Sequence, residues 1–446
     1  MPSSLRASVA VVVPDATGDG ACPTLDSPGG GDAWRAKDRA VAKLRRLRHA
    51  PFFFRALGQC LVQALAGPRR RQRVGIAWRE KPTEIGILLH LAQDLDILLP
   101  IIGVLRRTPG VRLGLFIVPR LISRSPRVVR ALIERSITPA ALDARLLRLG
   151  AARVLKHLDC LLTASETTHG QHRTAHAIVR AAHDAGVETY TLQHGVENVG
   201  LSYVDAGTAA SIAFASDHVL TWASPARLPA TIGSATRDKC IPVGRPRAAR
   251  PAGVRLPAEI LERPLIGVFE NLHWNRYTAR FRECFVDDLL AFCRARPDLT
   301  VLVKPHFSSH MLAKILAESK PAPPNLVFAD PKSPKWEPFT AAAMIPHCRA
   351  VVTTPSTVAL DAAELNVPVA VARYGLDLPA FEGLPSLAGL TGWLDFVDRA
   401  IANPVAAGAA LADFRDRVRL PGDAAERVAR VLVAGVAKAD VRPLLS

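Results

Sequence analysis

Three short stretches carry the side chains best suited to chemistry. In LQHGVEN (192–198), His194 precedes a glycine and shares its loop with Gln193, Glu197 and Asn198. In VKPHF (303–307), Lys304 and His306 flank a proline. In TTPSTVALDAAE (353–364), Thr354, Ser356 and Thr357 lead into a helical pattern bearing Asp361 and Glu364. An imidazole titrating near neutrality can take up a proton or return one. Ser356 is a natural helix cap, and a helix start offers unpaired N–H groups and a positive dipole end to an anion such as phosphate. Asp361 follows Thr357 by four residues, one turn along nearly the same face. A fourth stretch, GVFENLHWNRY (267–277), gathers Glu270, Asn271, His273 and Asn275 beside Trp274 and Tyr277, as a binding loop would. His169, His172 and His176 have helical spacing for a metal, but only Glu166 lies nearby to complete a set. Neither a metal nor a cofactor is expected.

Each of these clusters closes an apolar run, and that placement is what gives it meaning. The runs at 187–193, 300–303 and 350–353 read as buried strands, and 350–372 spells strand, loop, helix, strand. This is the repeating unit of a parallel sheet, whose loops at the strands' carboxyl ends line the ligand crevice. Further strands are expected at 74–78, 85–90, 113–118, 158–164, 217–222 and 239–243, with helices at 94–107, interrupted or kinked at Pro100, and at 171–185. The stretch RPRAARPAGVRLP (245–257) is a linker by composition, and a second sheet starts at 264–270. The division expected is a tail and basic helical segment at 1–72, a first α/β domain at 73–244, the linker, and a second α/β domain with terminal helices at 258–446.

At 446 residues and 49% hydrophobic content the chain exceeds one compact core and suits two. Its seven cysteines are scattered, without C-x-x-C, which argues against a disulfide scaffold and a structural zinc site. No signal-peptide layout and no apolar run long enough to span a bilayer is present, so a cytoplasmic protein is expected. The formal charge of +17 is concentrated: between Arg35 and Arg73 stand twelve Lys or Arg against one acid, Asp38, a local +11. With Phe52, Phe53 and Phe54 at its centre, this segment reads as an amphipathic pair of helices for an anionic inner-membrane surface. Nothing in it matches a nucleic-acid-binding motif, so charge alone would speak for that partner.

Taken in order, LQHGVEN, VGRPR (243–247), VKPHF and PSTVALDAAELNVPV (355–369) resemble the motifs of bacterial cell-surface polysaccharide transferases of the GT-B architecture. The CDP-glycerol glycerophosphotransferase-like and capsular polysialyltransferase-like families are the nearest in pattern, over residues 158–372. The resemblance implies two Rossmann-type domains facing a central cleft. It implies a metal-independent, inverting transferase that takes a CMP- or CDP-type activated donor to a glycan or lipid-linked acceptor. Under it His194 is the base that deprotonates the acceptor hydroxyl, with Glu197 in reserve, and His306 acts on the donor phosphate. Lys304, Thr354, Ser356, Thr357, Glu270, Asn271 and Arg245 would line the donor site, with Asp361 or Glu364 on the ribose. A nucleotide-sugar epimerase of similar design is the rival. It requires carboxylates in the cleft, where the sequence offers histidines more prominently. A non-catalytic nucleotide-sugar-binding subunit is a further alternative.

Overall fold

A computed structural model describes residues 82–435, apart from 145–146, 148–153, 204–211, 248–254, 308, 310, 319–321 and 410. The tail and basic segment (1–72) and the strand expected at 74–78 lie outside the described residues.

Two wholly parallel sheets form the frame. The first contains β1 (Thr83–Leu89), β2 (Val111–Ile117), β3 (Ala140–Ala141), β4 (Cys160–Thr163), β5 (Glu188–Leu192), β6 (His218–Thr221) and β7 (Cys240–Pro242), in the order β3-β2-β1-β4-β5-β6-β7. The second contains β8 (Leu265–Glu270), β9 (Thr300–Pro305), β10 (Leu326–Phe328), β11 (Ala350–Thr353), β12 (Val369–Ala372) and β13 (Ser386–Leu387), in the order β10-β9-β8-β11-β12-β13. Both sheets run from their third strand back to their first and then jump to the fourth. The strand order reverses between β1 and β4 and again between β8 and β11, and ligands bind outside such reversals.

The strands are apolar throughout because helices cover both faces. Ile85, Ile87 and Leu89 of β1 share a core with the helix Asp94–Arg107, while Leu88 turns to the other face, where Ala175, Ile178 and Ala182 of the helix Arg173–Asp184 meet it. In the second half Phe269 and Val351 pack beside Ala359, Leu360 and Ala363. On the opposite face, Val268, Val303 and Val352 meet Phe285, Leu289 and Trp393. Pro100 lies inside the helix Asp94–Arg107, which continues through it.

The terminal helix Ala424–Ala434 departs from the expected division. Its Ala425, Val428, Val431 and Leu432 are buried in the core of the first half, not the second. Leu420 N–H donates to the Trp222 carbonyl (2.8 Å) and Arg427 Nε to that of Val243 (2.7 Å), so the chain crosses back before this helix begins. Its apolar stripe is indifferent to which sheet it covers, and the choice falls to these distant partners. Among the described residues, no helix is long and apolar enough to cross a membrane.

Candidate active site

The loop after β5 is built from its own side chains. Gln193 Oε1 accepts from Trp222 N–H (2.8 Å) while its Nε2 donates to the Gly195 carbonyl (2.9 Å). His194 N–H donates to Asn198 Oδ1 (3.0 Å), and Asn198 N–H donates to Ser202 Oγ (2.8 Å). These bonds fix the backbone and leave the His194 ring to the crevice, with Nδ1 unpartnered. The residue is half-buried, and Nδ1 itself is buried. Crowding by protein, and then His172 with ring centres 5.4 Å apart, holds its pKa down to about 3. His194 is therefore neutral at physiological pH, and the same burial opposes its taking up a proton, unlike the imidazole titrating near neutrality that the base role calls for.

Beside it, the loop after β1 holds groups that sequence reasoning missed. Asp94, taken only as a helix start, is fully buried. It accepts from His90 N–H (3.0 Å), Leu91 N–H (2.7 Å) and Ser165 Oγ (2.6 Å), and burial pushes its pKa up to about 7. His90 Nε2–H donates to the Gln171 carbonyl (2.6 Å), which leaves its Nδ1 unpartnered. His172 Nδ1–H donates to the Ser165 carbonyl (2.9 Å), whereas His176 bonds Glu166 (2.5 Å), so the two histidines serve separate partners. The available signal was position: Asp94 follows a strand at the point where the sheet order reverses.

In the second half, Glu270 ends β8 and is 3% exposed. Its Oε2 accepts from Leu272 N–H (2.6 Å) and Ser309 Oγ (3.1 Å), while Oε1 has no partner. Burial lifts its pKa to about 7, toward that of an acid or base working at neutral pH. His306 stacks on His273 with centres 4.6 Å apart, and its N–H donates to the Glu270 carbonyl (2.7 Å). The His306 residue has exposed surface, yet the protein around it and then His273 push its pKa down to about 4. Lys304 is half-buried, and burial lowers its pKa to about 8.

Several expected donor contacts are already engaged. Thr354 Oγ1 donates to Asn271 Oδ1 (2.7 Å), which also accepts from Tyr277 OH (2.7 Å), while Asn271 Nδ2 donates to the Pro355 carbonyl (2.9 Å). Both residues are buried and brace two loops; neither offers a donor a free group. Ser356 Oγ accepts from Val358 N–H (3.3 Å) as a cap. Thr357 Oγ1 accepts from Val196 N–H in the first half (3.1 Å), tying the helix Val358–Ala363 to the His194 loop. Arg245 is bound to Asp361 (2.5 Å) and Glu364 (3.0 Å), and Glu364 also pairs with Arg247 (2.9 Å) and Arg419 (2.8 Å). Arg245, expected on phosphate, and Asp361 and Glu364, expected on the ribose, thus hold one another in an ionic knot at the crossover. Glu197 is likewise paired, with Arg276 of the second half (2.6 Å).

No family model matches the chain, and no curated protein does. Solved structures do match in fold. A Listeria monocytogenes protein assigned as a UDP-N-acetylglucosamine 2-epimerase aligns at 13% identity and a TM-score of 0.61, covering 81% of this chain and 98% of that one. The Methanocaldococcus jannaschii UDP-GlcNAc 2-epimerase in complex with UDP-GlcNAc and UDP aligns at 13% and 0.54, over 79% and 100%. The glycotransferase of kitacinnamycin aligns at 16% and 0.50, over 79% and 99%. The narrower resemblance to CDP-glycerol or polysialic-acid enzymes finds no support among them. Two parallel-sheet halves with one strand order, joined along their carboxyl edges, have the GT-B architecture that the motif order implied.

Proposed function

We propose that the chain is an enzyme acting on a nucleotide-activated sugar held between the two halves. One observation carries this reading. Among the described residues, the buried acid–base atoms without a partner include His90 Nδ1 and His194 Nδ1 from the first half and Glu270 Oε1 and His273 Nδ1 from the second, all at or just after strand ends. Folded proteins rarely leave such atoms unsatisfied, and a ligand rich in hydroxyl and phosphate oxygens would engage them. Structures similar in fold that hold UDP-GlcNAc and UDP support the ligand class.

The epimerase reading now stands ahead of the transferase. Its requirement was for carboxylates in the cleft. Glu270, with one oxygen unpartnered and its pKa lifted by burial to about 7, is a candidate for that role, whereas Asp94 has both oxygens engaged within its own half. In this reading a base removes the proton beside the anomeric carbon as the bond to the nucleotide breaks, and the nucleotide then adds back to the anomeric carbon as a proton returns on the other face, which inverts the centre. The transferase reading keeps one favouring observation, the unpartnered Nδ1 of His194, which an acceptor hydroxyl could bond. A glycan or lipid-linked acceptor and a CMP- or CDP-type donor belong to it, as does docking through residues 35–73.

Incubation with UDP-, CDP-, CMP- and GDP-sugars in D2O, followed by NMR, separates the two. Deuterium entering the sugar without any acceptor, together with a new diastereomer, is expected of the epimerase. Nucleotide release only on adding an acceptor identifies the transferase. Failure to bind or convert any of the four classes would remove the nucleotide-sugar reading.

A further inference from the structure

Arg276 projects from the loop after β8 into the first half, where its guanidinium meets Glu197 at 2.6 Å; each side chain is 9% exposed. Aromatic rings from both halves hold it in place. Its Cζ lies 5.0 Å from the centre of Tyr203 and 5.9 Å from that of Tyr277, and Trp274 meets Tyr203 edge-on at 5.3 Å. We infer that Arg276 is the phosphate grip of the nucleotide site, and that it takes the ligand by exchanging Glu197 for a diphosphate. The inference rests on the nucleotide-sugar reading above and adds a residue and an order of events to it.

The physical case begins with what such a pair is worth. A buried ion pair loses most of its Coulomb attraction to desolvation and is a poor device for holding two domains together. These halves also have other ties, in Thr357 with Val196 and in the knot around Arg245. A guanidinium, by contrast, matches phosphate oxygens in a planar, two-point fork, and stacking on aromatic rings keeps that plane oriented while the anion changes. Phosphate replaces carboxylate like for like, so the arginine is never left buried without a counter-charge. The displaced carboxylate stands three residues after His194. Released from the guanidinium, Glu197 can then accept a hydrogen bond from the sugar. Diphosphate binding would thereby prepare the base loop, and an empty cleft would keep Glu197 silent.

Calorimetric titration of UDP, UMP and uridine, with CDP and GDP in parallel, tests this. Arg276→Gln should weaken the diphosphate that binds best by about 10- to 100-fold, the scale of a charge-assisted contact, while nucleoside affinity stays unchanged. Arg276→Lys should recover part of the loss. Glu197→Gln should act in the opposite direction and tighten the diphosphate several-fold, because the competing carboxylate is gone. A purely structural clasp predicts otherwise: both variants lower the melting temperature and weaken UDP and uridine alike. Equal losses for diphosphate and nucleoside, or weaker diphosphate binding in Glu197→Gln, overturn the inference. Should the unaltered protein bind none of these nucleotides, the functional reading itself falls and takes this one with it.

Discussion

At the reversal of the first sheet, polar side chains are tied back to their own half, although His90 Nδ1 and His194 Nδ1 remain unpartnered. His90 holds the Gln171 carbonyl, His172 that of Ser165, and Asp94 gathers two backbone N–H groups and a serine hydroxyl. At the reversal of the second sheet, Glu270 keeps one oxygen unpartnered, while Thr357 and Arg276 reach to the opposite half. The same strand order thus carries two kinds of site. The first is set in advance by local bonds. The second draws on partners from the opposite half and keeps one carboxylate oxygen unpartnered.

Glu270 gives the largest test of that difference. Its folded pKa is raised from 4.5 to about 7, so the native state binds the extra proton between those values. Stability from this group is therefore fully present below pH 4.5 and lost as pH rises toward 7, with a ceiling on the order of 3 kcal/mol. Glu270→Gln removes the charge, and the variant should gain stability relative to the unaltered protein between pH 5 and pH 8 in urea titrations. His194, with its pKa lowered, acts in the opposite sense as pH rises from about 3 to 6.5. It does so in both proteins, so the difference isolates Glu270. An identical gap at both pH values would mean that Glu270 is solvated or paired in solution.

On the pre-set side, His194→Ala should lower turnover about 100-fold or more while leaving nucleotide affinity nearly unchanged. Turnover close to that of the unaltered protein would remove His194 from the mechanism and shift weight to Glu270. The smallest effect is expected where the two kinds of site touch. A Cβ at Gly195 would lie 2.8 Å from the Glu197 carbonyl and 3.2 Å from Thr357 Oγ1. Backbone cannot yield there as a side-chain tip can. Gly195→Ala should then cost about 1 kcal/mol or somewhat more and slow turnover. Unchanged stability and turnover would show that the contact between the halves is loose in solution.

The sequence was informative where the physics is local. Parallel strands buried on both faces appear as apolar runs, so the strand at 350–353 and the helix at 94–107 could be read to their ends. Ala140–Ala141 and Ser386–Leu387 are two-residue edge strands and left no such trace. The site divides in the same way. That His194, Glu270, Lys304 and Thr354 close strands follows from the pattern of residues around each. That Arg245 is spent on Asp361 and Glu364, or Thr357 on Val196, depends on partners more than a hundred residues apart. No single stretch encodes such a pairing.

A structure of the protein crystallised with UDP, CDP or GDP tests the central claim most directly. The account predicts the diphosphate between the β8 and β5 loops, within hydrogen-bond distance of Arg276, with Glu197 released and His194 facing the ligand. A cavity of about 750 Å³ is lined instead by Lys156, Arg173, His176 and Arg180, none of them in the β5 or β8 loop. A diphosphate seated there, with the Glu197–Arg276 pair intact, would contradict the account.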